Sequence, residues 1–171
     1  MTELALHPVE SSLGSDIARL AGVILSTHYP SADRAALRRW APGQTIPMAF
    51  YRLWLRHLHS DLPNPQQSDA WMTLSWGLAT MGQGANDPTR SLGQVLAESR
   101  FSEGRLERLL SAPEDVRVDL FMDAVRFLAA KNERFDWLDA AQFLLTTNSA
   151  KREGIHRRVA TAFYRYLPKE S

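Results

Sequence analysis

The chain has 171 residues, 44% of them hydrophobic and 23% charged. That is enough apolar material for one compact domain or two small ones, and too much for wholesale disorder. Twenty basic residues against 19 acidic ones leave a net charge of +1, so the overall balance gives no argument for nucleic acid. The absence of cysteine excludes disulfides, thiolate catalysis and cysteine-based zinc sites. No run of about 18 apolar residues is present to span a bilayer. The N-terminus lacks a basic stretch followed by an apolar one, so no signal peptide and a cytoplasmic, soluble protein are expected.

The hydrophobic spacing is helical almost throughout and predicts an all-α chain of about nine helices with no sheet. Ser15 caps a helix whose apolar side is Ile17, Leu20, Ala21, Ile24 and Leu25, and Pro30 ends that stretch. Ser31 and Asp33 start a short helix that runs to Trp40 and is stopped by Pro42-Gly43. Thr45 caps the next, with Pro47 in its first turn and Phe50, Leu53, Trp54 and Leu58 as its stripe. Ser68 caps a helix carrying Trp71, Leu74, Leu78 and Met81. Gly82–Arg90 reads as a linker. Ser91 and Ser102 then cap two short helices with stripes at Leu92, Val95 and Leu96, and at Leu106, Leu109 and Leu110. Pro113 opens a long helix with Val116, Leu120, Phe121, Ala124, Phe127 and Leu128. Asp136 and Ser149 cap the last two, whose stripes are Leu138, Ala141, Leu144 and Leu145, and then Ile155, Val159, Ala162 and Tyr166. Divided at the linker, the pattern predicts a four-helix bundle over residues 1–86 and a five-helix bundle over residues 87–171.

Charge is distributed unevenly. Lys131, Lys151 and Lys169 are the only lysines among the basic residues, and arginine is the better bidentate partner for phosphate. A genome rich in G and C would give the same skew. Residues 31–57 hold Arg34, Arg38, Arg39, Arg52 and Arg56 against the single acid Asp33, and Arg34/Arg38 and Arg52/Arg56 are each one turn apart. Residues 149–165 hold Lys151, Arg152, Arg157, Arg158 and Arg165 against Glu153. Lys151, Arg158 and Arg165 recur every seven residues and drift by only about 20° per step, giving a basic rim beside the apolar stripe. Like charges fixed on rigid helices suit a surface that tracks phosphates. The competing reading is that these arginines are solvated or paired with acids elsewhere.

Other constellations argue for packing rather than chemistry. Trp54, Trp71 and Trp137 lie on or beside apolar stripes and are expected in the core, whereas Trp40 and Trp76 are open to either role. Asp115, Asp119 and Asp123 line one helix face with Arg126 at pairing distance from Asp123, which predicts a solvated, ion-paired face. His57 and His59 point to different sides of a helix, so no metal pair is expected, and no phosphate-binding or nucleophile motif is present. No catalytic residue, metal or cofactor is expected, and the chain does not read as an enzyme.

Ser91–Leu110, SLGQVLAESRFSEGRLERLL, closely resembles the SLGxALA…SE…RxxxLLRA segment of the CasB family. That family is the small subunit of Cascade, the type I-E CRISPR surveillance complex. ALRRW within Ala35–Trp40, PMAFYRL at Pro47–Leu53, FDWL at Phe135–Leu138 and KREGIHRR at Lys151–Arg158 are similar to further family segments in the same order. The resemblance spans roughly residues 15–167 and implies two packed helical bundles. It also implies a non-catalytic subunit, present as a pair of copies, that contacts the guide RNA–DNA hybrid and the displaced DNA and so stabilises the R-loop in antiviral defence. Its implied partners are the backbone and large Cascade subunits, guide RNA, target and displaced DNA, and a second copy of itself.

Carried over by motif, the nucleic-acid contacts are Arg38, Arg39, Arg52, Arg105, Arg126, Lys151 and Arg152. Membership of the basic patches adds Arg34, Arg56, Arg108, Arg157 and Arg158. Ser111 stands where the family often has a basic residue, so the contact there is in question. Rival readings are a helical adaptor that binds only protein, a free-standing helix-turn-helix-like DNA-binding regulator built on Ser31–Trp40 and the helix after it, and, more remotely, a metal-dependent hydrolase on the aspartate stripe.

Overall fold

A computed structural model describes residues 12–169. Among these residues the chain forms nine α-helices and no strand. They are α1 (Leu13–Ile24), α2 (Ser31–Arg39), α3 (Met48–His57), α4 (Ser68–Met81), α5 (Leu92–Glu98), α6 (Glu103–Ser111), α7 (Glu114–Ala130), α8 (Trp137–Leu145) and α9 (Ser149–Tyr166). A short 3-10 turn, Pro65–Gln67, leads into α4.

Several helix starts follow the local sequence. Ser91 accepts from the Gln94 amide, Ser102 from the Arg105 amide and Asp136 from the Leu138 amide, satisfying donors the helix leaves unpaired. Elsewhere a neighbour takes the position. Ser12, not Ser15, caps α1 and accepts from the Ser15 amide; Asn148, not Ser149, caps α9 and accepts from the Lys151 amide. Pro47 and Pro113 stand just before α3 and α7 rather than inside their first turns, and α4 starts at Ser68 with Gln67 preceding it. At Ser12, Pro47, Pro113 and Asn148 a nearby residue already offers extended backbone or an acceptor oxygen, whereas Gln67 is helical and α4 continues directly from the Pro65–Gln67 turn.

α4 is the central element. Met72, Thr73, Leu74, Ser75, Trp76, Gly77, Leu78 and Ala79 are all buried along it, and it packs against α1, α2, α7 and α8. Such all-round burial suits the middle of a helical core. Gly77 permits the closest approach, since a Cβ there would lie 2.3 Å from the ring of Trp137, which is itself fully buried. Phe121 and Phe135 pack around that indole, with ring centroids 6.3 and 4.8 Å away.

The Gly82–Arg90 segment is tied down. Asp87 donates its amide to the Phe135 carbonyl (2.9 Å), and the Trp137 amide and indole donate to Asn86 Oδ1 (3.0 Å) and the Ala85 carbonyl (3.2 Å). Arg90 adds ion pairs to Glu98 (3.2 Å) and Glu133 (2.5 Å). Buried residues from both sides of the segment form one continuous cluster. The division into a four-helix bundle over residues 1–86 and a five-helix bundle over residues 87–171 stands as a proposal, with residues 1–11 and 170–171 outside the described residues.

The tightest helix pair is α5 on α9. A Cβ at Gly93 would meet the Val159 carbonyl oxygen at 2.3 Å and Ala162 Cβ at 2.8 Å. The glycine of the SLG triplet at Ser91–Gly93 is therefore a contact surface for the last helix.

Candidate nucleic-acid interface

The expected contact residues divide by what their guanidinium groups already hold. Arg34 is half-buried and turned inward, donating to the carbonyls of Ile24 (2.8 Å) and Ser26 (2.9 Å), with its charge 5.6 Å from the centre of the Tyr29 ring. It closes the C-terminal end of α1, where free carbonyls favour a cation. Burial and Asp33 push the Tyr29 hydroxyl up to about 12, against the opposing effect of Arg52 and Arg34. Arg152 is likewise engaged: it donates to the Thr146 carbonyl (2.7 Å) and pairs with Glu114. Both residues join helices together.

Arg52 and Arg126 carry acids but keep part of their surface in solvent. Arg52 pairs with Asp33 at 2.7 Å, linking α3 to α2. Arg126 pairs with Asp123 at 3.1 Å one turn back and lies 5.1 Å above the Trp76 ring. Arg105 is half-buried against Phe101 and Phe127, 4.5 and 5.1 Å from their centroids. Such stacking fixes the planar group while leaving its edge available. Arg158 is exposed and donates to Gln142 on α8. Arg108 is exposed, with a long 3.4 Å contact to the Gly104 carbonyl of its own helix.

Arg38, Arg39, Arg56, Lys151 and Arg157 are exposed on their helices, and none forms an ion pair among the described residues. These are the groups whose counterions a polyanion would displace at least cost.

Some of these residues share clefts. Arg34 and Arg38 line a cleft with Leu25, Ser26, Ala79, Thr80 and Gln83, between the end of α1, α2 and the C-terminal turn of α4. Trp76, one turn earlier on α4, lies beneath Arg126. Asp123, the partner of Arg126, shares a second cleft with Arg105 and Arg108. Arg105, Arg108 and Arg126 thus gather around Asp123 on α6 and α7, whereas Arg34 and Arg38 lie at a different cleft and Arg52 is tied to Asp33 on α2. Lys151, Arg157 and Arg158 belong to α9, which packs on α5 and α8.

Trp40, Trp54, Trp71, Trp76 and Trp137 are all buried, so Trp40 and Trp76 take the core role. The aspartate stripe is exposed, as expected of a solvated face. Among the described residues no group of three or more His, Asp or Glu is placed to hold a metal ion, and no helix is long and apolar enough to cross a membrane.

The sequence reading missed Arg117. Its side chain is buried (3% exposed), stacks 3.9 Å from the Phe143 ring centre, and donates to the Phe143 carbonyl at 2.8 Å. It also lies 3.3 Å from His156 Nε2. Burial and the nearby charge of Arg152 push it down to about 10, partly offset by Glu114. His156 is lowered as well, by burial first and then by Arg117; a guanidinium can only donate, so Nε2 accepts where the two are hydrogen-bonded. The signal was present: position 117 is one turn before Phe121 and in phase with Ala124 and Leu128. Val116, read as part of the apolar stripe, is instead 39% exposed.

Fold and surface together define an all-helical protein that displays arginines held at fixed positions on several helices. Residues 33–164 match the family model of the CRISPR-associated protein Cse2, so the chain belongs to that family and is a subunit of the CRISPR Cascade complex. No curated protein and no solved structure matches the chain.

Proposed function

We propose that this chain is the non-catalytic small subunit of a type I-E Cascade, acting in the cytoplasm, and that it holds nucleic-acid backbone without reading sequence. It contacts the target strand, the displaced strand and the guide RNA–DNA hybrid, and so favours the R-loop. The observation that carries this reading is the set Arg38, Arg39, Arg56, Lys151 and Arg157, which are exposed on rigid helices with no carboxylate of the described residues paired to them. Exchange of DNA–DNA for RNA–DNA pairing is nearly balanced, so modest contacts to the backbone are enough to tip it. Arg105, Arg108, Arg126 and Arg158 complete the surface. Arg52 contributes once Asp33 is displaced, whereas Arg34 and Arg152 support it from within the fold. The implied second copy and the contacts with the backbone and large subunits belong to the same proposal.

The test is binding of the full chain to unrelated single- and double-stranded DNA by fluorescence anisotropy across a salt series. Sequence-independent binding that weakens with salt is expected. Arg38→Ala/Arg39→Ala/Arg56→Ala should reduce the salt slope by about one for each phosphate left without its arginine. Binding of the variant with an unchanged slope would remove these residues from the interface. If the isolated chain does not bind, reconstituted Cascade carrying the triple variant decides: unchanged R-loop formation would refute the assignment.

A further inference from the structure

α6 has two faces of opposite charge. Arg105 and Arg108 line the cleft toward α7 with Asp123. On the other side, Glu103 and Glu107 are one turn apart and border a groove between α6 and α9. The floor of that groove is apolar, formed by Leu106, Leu110, Ala160 and Tyr164. Tyr164 is 57% exposed although it is a large aromatic residue, and the neighbouring Glu103 carboxylate raises its hydroxyl above the ordinary tyrosine range. Beyond Glu103 the hollow continues over Phe101, Phe163, Leu167 and Pro168. An exposed tyrosine at the centre of an apolar furrow is the composition of a protein-binding anchor, and the carboxylates beside it repel a phosphate backbone.

We infer that the α6–α9 groove docks a helix of a protein partner, one that presents an apolar face flanked by lysine or arginine. The argument is charge complementarity: leucine-like side chains fill the floor over Leu106 and Leu110 while their cationic neighbours meet Glu103 and Glu107. Residues 1–11 do not fit this description, because they carry Glu3 and Glu10 and no lysine or arginine. A second copy of the chain could offer α3, where Met48 and Leu55 are exposed beside Arg52 and Arg56. Those arginines belong to the proposed nucleic-acid surface, so one face would have to serve two ligands. The inference goes beyond the nucleic-acid reading and does not depend on it.

The probe is a synthetic amphipathic helical peptide with leucines on one face and flanking lysines, compared with a twin carrying glutamates in place of the lysines. Binding to the full chain is followed by anisotropy, with amide chemical shifts locating the site and sedimentation reporting self-association. The lysine peptide is expected to bind at least roughly tenfold more tightly than its twin, with shifts confined to α6 and α9. Glu103→Gln/Glu107→Gln should remove the difference between the peptides, and Tyr164→Ser, at an exposed position that the fold tolerates, should weaken both. Equal binding of the two peptides, no binding of the lysine peptide, or shifts elsewhere would overturn the inference. A chain that self-associates and becomes monomeric in Tyr164→Ser would also overturn it, in favour of a second copy.

Discussion

Gly93→Ala tests the contact between α5 and α9. The new methyl carbon would lie 2.3 Å from the Val159 carbonyl oxygen and 3.1 Å from the Phe163 amide nitrogen. Both are backbone atoms and cannot rotate away, so the helices must separate by roughly an ångström to restore ordinary contact. Overfilling a packed interface costs about 1–3 kcal/mol. Replacing a helical glycine by alanine returns at most about 1 kcal/mol, and less here because position 93 is in the first turn of a seven-residue helix. The net expectation is a loss of about 2 kcal/mol, equivalent to a fall in Tm of about 4–8 °C for a chain of this size. The assay is urea and thermal unfolding beside Gly104→Ala, at the same place in its helix, where nothing lies within 4 Å of the added carbon and stability should rise by about a few tenths of a kcal/mol. Equal stability of Gly93→Ala and wild type would refute the close-approach argument, as would equal shifts in the two variants.

Three further expectations rest on particular side chains. Arg117→Ala should cost about 3 kcal/mol in urea unfolding, because it opens a cavity and strips the Phe143 carbonyl of its donor; full rescue by lysine would contradict the stacked, forked geometry. Asp33→Asn and Asp123→Asn release Arg52 and Arg126 from the carboxylates that hold them; each should tighten DNA binding several-fold at low salt and steepen the salt slope by up to about one, and unchanged anisotropy titrations would count against a role for those arginines. His156 has a folded-state pKa below its ordinary 6.5, so below that pH the unfolded chain takes up more protons. The stability it contributes is complete above pH 6.5 and is lost as pH falls toward the lowered value; a His156→Gln variant should show a flatter stability profile over pH 5–7, and parallel profiles would show that another group is responsible.

The sequence was most legible where the physics is local. Ser91, Ser102 and Asp136 cap the helices expected of them because an oxygen accepting from an amide two or three residues on needs nothing from the rest of the fold. The displaced starts at Ser12 and Asn148 come from competition between polar residues within one turn of each other, of which the one with extended backbone takes the cap. Burial of Trp54, Trp71 and Trp137 followed from helical phase. That of Trp40 and Trp76 did not, since it depends on the helices that cover them. Arg117 was hidden because a charge in an apolar stripe is ordinarily assigned to solvent. Its burial becomes intelligible only once the carbonyl end of α8 and the His156 ring are known to converge on it.

The candidate interface was legible as composition but not as geometry. Arg34 and Arg38 are one turn apart and equivalent in charge and spacing, yet Arg34 is fixed to two carbonyls at the end of α1 while Arg38 stands exposed on α2. That difference arises from where α1 ends relative to α2, which no spacing rule encodes. The same sorting separates Arg152, held by Glu114, from its neighbour Lys151. A net charge of +1 is therefore compatible with a surface that tracks phosphates. Asp33, Asp123 and Glu114 neutralise arginines whose positions they also fix. Arg38 and Arg39 together on α2, Arg56 on α3, and Lys151 and Arg157 on α9 form no ion pair among the described residues. Binding of the proposed kind would be weak for each contact and indifferent to sequence, which is what a near-balanced strand exchange would require of the protein beside it.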